Sequence, residues 1–328
     1  MTPSRNRSIV PMFGGGTNYV DTLDRVLSIV DAMEPTTSEL VNWHRKTFSN
    51  VSSRTSIMRR VNYLAQMEFL TETENGWKLG EQGREYVERG EMEALLEIMV
   101  DRNVGLRSLL YALYGGSLDL GEISDQQLDT HPELGWSRGQ TDMARQRVNW
   151  LASMEYIEQV GRDYELTDAG RGFVRRSVED WARTDDPQSD PEPDFDAGTY
   201  SGHVAVRSVD PEFRAAALAQ HESRCPISGV DHPGLLDVAH LLPWRDYPDH
   251  RGDLSNVMAL SKTHHAAFDR KLFTIDNEYR MRINPDFTTE SDLLNHTLIN
   301  RNGDQISTFS RTLKLDYINR YNESLDWF

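Results

Sequence analysis

An internal repeat restricts the N-terminal half of the chain, because any fold of this half must be built twice. Residues 60–84 match residues 147–171 at a constant offset of 87, without gaps. The two copies open with RVNYLA and RVNWLA, and each ends in Gly-Arg. A match of this length indicates one structural unit that is used twice along the sequence.

Each copy has the same predicted elements in the same order. Apolar residues at helical spacing indicate a first helix, with Val61 and Leu64 in one copy and Val148 and Leu151 in the other. A polar turn between two short strands follows, and then a second helix. Helix, β-hairpin and helix in this order resemble a winged helix-turn-helix, so the sequence predicts two such units.

The resemblance implies that the helix before each hairpin is a recognition helix, which enters the major groove of DNA. Arginine suits this role because its guanidinium makes paired hydrogen bonds to guanine and to phosphate. Winged helices also serve as protein-interaction modules, in which such arginines are simply solvated. The predicted DNA contacts are Arg54, Arg59 and Arg60 in the first unit and Arg138, Arg145 and Arg147 in the second.

Composition divides the chain into five predicted segments. A flexible arm, 1–18, has a run of three glycines and no periodicity. The winged-helix-like units are expected at 19–92 and 93–183. Residues 184–199 contain three prolines and no basic residue, which predicts an extended acidic linker. The C-terminal domain is expected at 200–328.

The chain is strongly acidic, with 52 acidic against 35 basic residues and a formal net charge of −17. Five of the basic residues are lysines, and 29 of the acidic ones are aspartates. This balance resembles halophilic proteins, from organisms with molar salt in the cytoplasm, where a Debye length of about 3 Å screens acidic repulsion. An ordinary acidic protein is the alternative. In either case DNA must be held by local arginine patches.

Targeting signals are not evident in the sequence. No apolar run approaches the ~20 residues that span a bilayer, and the N-terminus lacks the layout of a signal peptide. The sequence therefore predicts a cytoplasmic protein that contacts no membrane. Cys225 is the only cysteine, which excludes an internal disulfide and a multi-cysteine zinc site.

A constellation of histidine, asparagine and aspartate between residues 237 and 269 has the chemistry of a phosphodiesterase that uses one metal ion. His240 ends a predicted strand, 235–240, and can take a proton from water, since histidine ordinarily titrates near neutral pH. His265 and Asp269 are four residues apart, so a helix presents both on one face, where they can bind a divalent cation.

Residues from about 225 to 276 resemble the HNH (ββα-metal) endonucleases, in the branch whose motif is roughly AHIxPW…N…HHxxFD. The chain has AHLLPW at 239–244, NVMAL at 256–260 and HHAAFD at 264–269. The resemblance implies that His240 is the general base and that Asn256 orients His240 or pins its loop. Plain helix capping by Asn256 is the alternative, because NVMAL is similar to a loop that leads into a helix.

The same resemblance implies that His265, nine residues after the asparagine, binds the metal. Its expected partner is Asp269, in a set that suits Mg²⁺ or Mn²⁺, although Asp269 could instead pair with Arg270. Many family members have a metal ligand directly before the base, where this chain has Ala239. Asp237 shares that face of the strand, so it could replace the ligand or be a solvated carboxylate.

A structural zinc ribbon, which many HNH proteins have, is not expected in this chain. Its four cysteine positions are occupied by Cys225, Ser228, Ser261 and His264, so three of the four thiols are missing. His264 is expected to pack in the core or to contact phosphate.

The sequence thus predicts an α+β multidomain protein, in which two winged helix-turn-helix units precede a ββα-metal nuclease domain. The hypothesis is a restriction-type, metal-dependent endonuclease that cuts double-stranded DNA, with a possible homodimer for cutting both strands. Arg245, Arg270 and Lys271 are candidate phosphate contacts or solvated charges. Tyr317 and Tyr321 are expected to pack on the nuclease core or at a dimer contact. The alternatives are a tandem winged-helix regulator with a degenerate HNH scaffold and a toxin-like nuclease without sequence choice.

Overall fold

The computed structural model describes residues 5–48, 51–183 and 210–328. The chain divides into two compact units, Met1–Arg171 and Gly172–Phe328. Both combine helices with short antiparallel hairpins, in agreement with the predicted α+β class. The predicted linker at 184–199 lies outside the described residues, within which no helix is both long enough and apolar enough to cross a bilayer.

The first unit is built from helices and two hairpins. In chain order its elements are α1 (Tyr19–Met33), α2 (Thr37–Thr47), α3 (Arg54–Gln66), β1 (Leu70–Thr73), β2 (Gly76–Leu79), α4 (Glu81–Arg89), α5 (Met92–Arg102), α6 (Leu106–Gly115), α7 (Leu120–Thr130), a 3-10 turn (Pro132–Leu134), α8 (Asp142–Ser153), β3 (Ile157–Val160), β4 (Asp163–Leu166) and α9 (Asp168–Arg183), which begins in this unit.

The sequence repeat is also a structural repeat. The order α3, β1, β2, α4 recurs as α8, β3, β4, α9. The two hairpins have the same register, since Leu70 pairs with Leu79 in the first and Ile157 pairs with Leu166 in the second. The predicted helix–hairpin–helix order is therefore present twice, while its assignment as a winged helix stays a prediction.

A close backbone approach explains why both copies carry a glycine in the helix after the hairpin. A Cβ at Gly83 would lie 2.1 Å from the Phe69 carbonyl oxygen, and one at Gly170 would lie 2.2 Å from the Tyr156 carbonyl oxygen. No larger residue fits such a gap without moving the backbone. Each glycine thus lets the closing helix pack against the end of the first helix.

Residues 5–12 are packed against the first unit, in contrast to the flexible arm predicted from the sequence. Asn6 forms a parallel β-bridge with Asn103. The Trp150 indole donates a hydrogen bond to the Val10 carbonyl oxygen at 3.0 Å. The apolar side chains of this segment are buried, and their burial offsets the entropy cost of ordering it.

The second unit contains two hairpins and the C-terminal helices. In chain order its further elements are α10 (Pro211–Ala219), a 3-10 turn (Pro233–Leu235), β5 (Leu236–His240), two 3-10 turns (Pro248–His250 and Leu254–Asn256), β6 (Val257–Ser261), α11 (Lys262–Asp269), β7 (Phe273–Ile275), β8 (Met281–Ile283), α12 (Asp292–Thr297), a 3-10 turn (Ile299–Arg301), α13 (Ser307–Thr312) and α14 (Leu315–Asn322).

Strand β6 is the centre of the second unit. All five of its residues are buried, and it pairs antiparallel with β5. The expectation that NVMAL at 256–260 leads from a loop into a helix is therefore wrong. A short, wholly apolar run suits a strand that is covered on both faces, and the helix, α11, begins only at Lys262. Tyr317 and Tyr321 of α14 pack in this core, which was one of the two expectations for them beside a dimer contact.

His221 follows α10 and is buried beside β6. Its Nε2 donates a hydrogen bond to the Val257 carbonyl oxygen at 3.1 Å. Its Nδ1 is buried and has no hydrogen-bond partner among the described residues. Burial lowers the pKa of His221 to about 4, since protonation would create a buried N–H without an acceptor.

We expect the second unit to become less stable as the pH is lowered, because folded His221 stays neutral. An unfolded histidine has a pKa of about 6.5, so below that pH the unfolded chain binds a proton that folded His221 does not. His221 alone should lower the free energy of unfolding by on the order of 2 kcal/mol between about pH 7.5 and about pH 5, and His264, whose pKa is also lowered to about 4, adds to the loss. Urea unfolding of His221→Gln should show a loss that is smaller by the His221 contribution. Parallel losses in variant and parent would contradict the assignment.

Candidate active site

Three neighbouring elements of the second unit bring the predicted site residues together. Strand β5 carries Asp237 and His240, and its register opposite β6 places His240 across from Val257. Helix α11 carries His265 and Asp269 and packs on both strands. Its start is fixed by Ser261, whose hydroxyl accepts a hydrogen bond from the His264 backbone N–H as the N-cap.

The His240 ring is held in one orientation. Its Nε2 lies 3.0 Å from the backbone carbonyl oxygen of Arg251. A carbonyl only accepts, so Nε2 carries the proton, and the lone pair of the neutral ring is on Nδ1. Phe213 stacks on the ring at 6.3 Å between centroids, and Trp244 meets it edge-on at 5.0 Å. The tautomer that suits a general base is therefore set by the backbone.

Arg251 also ties its own loop to the strand end. Its Nε donates to the Trp244 carbonyl oxygen at 2.7 Å, and its guanidinium lies over the Trp244 ring at 5.1 Å. The same residue thus orients His240 through its backbone and positions Trp244 through its side chain. No residue pattern indicates the first of these roles, because a backbone carbonyl accepts this bond regardless of residue type.

Asn256 is buried and pins the loop that follows His240. Its Oδ1 accepts from the Leu242 backbone N–H at 2.9 Å, and its Nδ2 donates to the His250 carbonyl oxygen at 3.1 Å. These bonds match the loop-pinning role among those weighed from the sequence. The side chain does not cap α11, the helix that follows, because its partners are Leu242 and the last residue of the 3-10 turn Pro248–His250.

A second anchor, which the sequence did not reveal, joins this loop to α14. The buried carboxylate of Asp253 accepts from the Tyr317 hydroxyl at 2.7 Å and from Lys314 Nζ at 2.9 Å. It also accepts from the Ser255 backbone N–H at 2.8 Å. The partners lie more than sixty residues apart, so no local pattern could have indicated them. Asp253 stands two residues from the carbonyl that orients His240.

His265 lies between two carboxylates. Its Nδ1 is 3.4 Å from Asp237 Oδ2, and its Nε2 is 3.6 Å from Asp269 Oδ2. The two carboxylates therefore face opposite nitrogens of one ring. Within the part of the chain that the structure describes, no three His, Cys, Asp or Glu side chains converge on a point that could hold an ion.

The predicted metal ligands His265, Asp269 and Asp237 thus lie around one imidazole ring without converging on a single point, and their binding of an ion stays a prediction. One ring nitrogen with its neighbouring carboxylate still forms a pair of ligands for an ion that keeps several waters, as Mg²⁺ and Mn²⁺ do. The other carboxylate can then accept from the remaining ring N–H and fix the ring, as outer carboxylates do for metal-binding histidines. The residues fit a divalent ion in this two-ligand form.

His264 is a structural residue. It is buried, with Nδ1 2.7 Å from the Ser261 hydroxyl and Nε2 2.9 Å from the Thr297 hydroxyl. Burial, and then the charge of Arg301, lower its pKa to about 4. Of the two expectations for His264, packing is the one observed. The Cys225 thiol, also buried, accepts a hydrogen bond from the Ser228 backbone N–H.

Most of the predicted phosphate-binding residues are exposed. Arg270 donates to its own helix and Lys271 to the Ser324 carbonyl oxygen at 3.2 Å, and both keep exposed surface. Arg60 is half-buried, with its guanidinium 3.9 Å from the Phe13 ring centroid. The remaining fully exposed arginines of the predicted set are Arg54, Arg59, Arg138, Arg145 and Arg245.

Two of the predicted DNA contacts, Arg147 and Arg138, do not lie on an outward face of α8. Arg147 is fully buried, and its guanidinium donates to the Val104 and Arg7 carbonyl oxygens at 3.1 Å each, so it cannot reach DNA in this fold. Arg138 precedes the helix and forms ion pairs with Asp125 and Asp129. We withdraw Arg147 from the predicted DNA contacts.

The comparisons with known proteins agree with this geometry. Residues 225–276, which include β5, β6 and α11, match the family model HNH_2, described as HNH endonuclease. This segment is an HNH endonuclease domain. A search of curated proteins finds no significant match to the chain. The HNH domain supports a nuclease in general and implies a DNA substrate, and HNH nucleases generally use a divalent metal.

Removal of one hydroxyl tests the link between α14 and the HNH loop. Tyr317→Phe keeps the ring but deletes the bond to Asp253, which should lower the free energy of unfolding by about 1 kcal/mol. We expect the DNA cleavage rate to fall several-fold, with its pH profile altered, because the Arg251 carbonyl then holds His240 less firmly.

The matched control is Tyr86→Phe, which also deletes a hydroxyl bond to a carboxylate, that of Asp24 at 3.0 Å, but in the first unit and outside the HNH domain. It should cost similar stability and leave the cleavage rate and its pH profile unchanged. Equal effects of both variants on cleavage would show that Tyr317 acts only through stability.

Proposed function

We propose that the protein is a metal-dependent DNA endonuclease of the restriction type, directed by a DNA sequence or a base modification, with His240 as general base. The observation that carries the proposal is the 3.0 Å bond from His240 Nε2 to the Arg251 carbonyl oxygen. It leaves Nδ1 as the basic nitrogen of a ring that cannot rotate freely. An HNH scaffold that had lost its activity would have no need to retain this arrangement.

The chemical step is hydrolysis of a phosphodiester. Nδ1 of His240 takes a proton from a water molecule, whose oxygen bonds to phosphorus while the bond from phosphorus to the leaving oxygen breaks. The imidazolium that forms is stabilised by its N–H bond to the Arg251 carbonyl. The leaving oxygen takes a proton from a second water molecule, and the imidazolium returns its proton to the hydroxide so formed, so atoms and charges balance. Phe213 and Trp244 cover the ring and limit its contact with bulk water.

A divalent ion would neutralise charge on the phosphate and on the leaving oxygen. We assign it to His265 and Asp237, with Asp269 as the carboxylate that fixes the ring from the other side. Asp237 is preferred as ligand because it lies closer to the ring than Asp269, 3.4 Å against 3.6 Å, and is less exposed, 39% against 63%. The sequence alone favoured Asp269.

The restriction-type role rests on the combination of an HNH domain with a duplicated helix–hairpin–helix unit on one chain. The duplicated unit would select or hold the DNA that the HNH domain cuts. One HNH site cuts one strand, so a homodimer or two successive events would be needed for a double-strand break. The homodimer stays a prediction.

Replacement of His240 tests the general base. His240→Ala should lower metal-dependent nicking of supercoiled plasmid by on the order of 10²- to 10⁴-fold, the usual contribution of a general base. DNA affinity should be unchanged. The control is His296→Ala, an exposed histidine of the same unit, which should cleave at the normal rate. Full activity of His240→Ala would rule out the mechanism.

A metal titration tests the assignment of the two carboxylates. Asp237→Asn should raise the Mn²⁺ concentration for half-maximal nicking by on the order of 100-fold, because a ligand is lost. Asp269→Asn should raise it only about 10-fold, as is usual when an orienting partner is removed. The reverse order would assign the ion to the Asp269 side of the ring, and two unchanged titrations would exclude both carboxylates as partners of His265 in metal binding.

A further inference from the structure

The first unit contains a groove that is rich in arginine. It has a volume of about 1010 Å³ and lies between residues 5–10 and the outward face of α3. Its lining includes Arg5, Arg7, Arg54 and Arg59, and no aspartate or glutamate. In a chain with a net charge of −17, a surface with four cations and no acid is a local reversal of charge.

The arginines of this groove are positioned for an external partner. Arg54, Arg59 and Arg7 are exposed, and none of them forms an ion pair within the residues that the structure describes. Arg5 differs, because its guanidinium donates to the Val100 carbonyl oxygen at 2.8 Å and so fixes the wall of the groove. The backbone of residues 5–10 is therefore fixed, and it places Arg7 beside α3.

The polar residues along α3 complete the surface. Thr55, Asn62 and Gln66 are exposed and share the groove with Arg54 and Arg59. Guanidinium groups bind phosphate through charge-assisted paired hydrogen bonds, and amide side chains can pair with base edges. The chemistry of this face is that of a nucleic-acid contact.

The second copy of the repeat does not present the same face. At the offset of 87, Arg54 and Thr55 correspond to Thr141 and Asp142, so the arginine is lost and an acid is gained. Arg59 corresponds to Gln146, and Met58, which also lines the groove, corresponds to the exposed Arg145, so this face of α8 has one arginine where α3 has two.

Helix α1 covers the rest of this face of α8. The Tyr19 hydroxyl donates to Gln146 Oε1 at 2.8 Å and accepts from Asn149 Nδ2 at 3.3 Å. The Val20 backbone N–H donates to the Ser153 hydroxyl at 2.9 Å. The polar side chains that face outward on α3 are therefore occupied internally on α8.

We propose that the groove between residues 5–10 and α3 binds the phosphate backbone of duplex DNA, and that the second copy supports the fold without contacting DNA through this face. The proposal deepens the proposed function, on whose DNA substrate it rests. The two copies of the repeat then have different roles, although DNA contacts were predicted in both from the sequence.

The test compares two double variants in the His240→Ala background, so that DNA is bound but not cut. Binding of a duplex of about three helical turns is measured by fluorescence anisotropy over a range of salt. Arg54→Ala with Arg59→Ala should weaken binding about tenfold near 0.1 M salt. It should also lower the slope of log Kd against log salt by about 2, since each phosphate contact contributes about 0.9.

The matched control is Arg138→Ala with Arg145→Ala, which removes the same charge from the second copy. It should leave Kd within about twofold and the salt slope unchanged. Circular dichroism of each variant checks that the fold is retained. Arg7→Ala should weaken binding by itself and lower the slope by about 1. Equal losses from the two double variants, or a larger loss from the control, would overturn the proposal, as would unchanged binding by the first variant.

Failure of this inference and failure of the nuclease proposal are distinguishable. If the chain with intact His240 does not cleave DNA but binding follows the expected pattern, the groove assignment stands and the nuclease fails. If plasmid is cleaved with Mn²⁺ but the first double variant binds and cleaves as well as the control, the groove assignment is overturned and the nuclease stands.

Discussion

The HNH site depends on one hydrogen bond, from His240 Nε2 to the Arg251 carbonyl oxygen. Because a carbonyl can only accept, the bond selects the tautomer of the ring as well as its direction. The bond is only as rigid as the loop that carries the carbonyl. Asn256 holds that loop from β6, and Asp253 holds it through α14. The position of His240 thus depends both on the HNH motif and on α14, a helix far along the chain.

The pattern of predicted and unpredicted features has a physical cause. The repeat was visible because its constraints are local: Gly83 and Gly170 must lack a Cβ wherever the fold is used. His265 and Asp269 lie side by side, as predicted, because helical spacing alone brings them together, while their binding of an ion stays a prediction. Features that depend on residues distant in sequence, such as the bond from Tyr317 to Asp253, leave no trace in a local pattern.

The wrong interpretations have the same origin. Arg147 occupies the position equivalent to Arg60, yet it is buried because the Val104 and Arg7 carbonyls close around it. Helical spacing cannot report what will cover a helix. The run at 256–260 was interpreted as the entry to a helix, whereas residues 257–261 are all buried and form a central strand. In both cases tertiary packing overrode a reasonable local assignment.

The packing of residues 5–12 affects how the first unit unfolds. Asn6 bridges to Asn103, Trp150 binds the Val10 carbonyl, and Arg147 binds the Arg7 carbonyl. The Asn6 side-chain amide also donates to the Met67 sulfur at 3.3 Å, at the end of α3. Residues 5–12 thus contact the first copy of the repeat through α3 and the second copy through α8. Two tandem domains would ordinarily melt separately, but a shared strip couples them, so the duplicated half should lose its structure in a single cooperative transition.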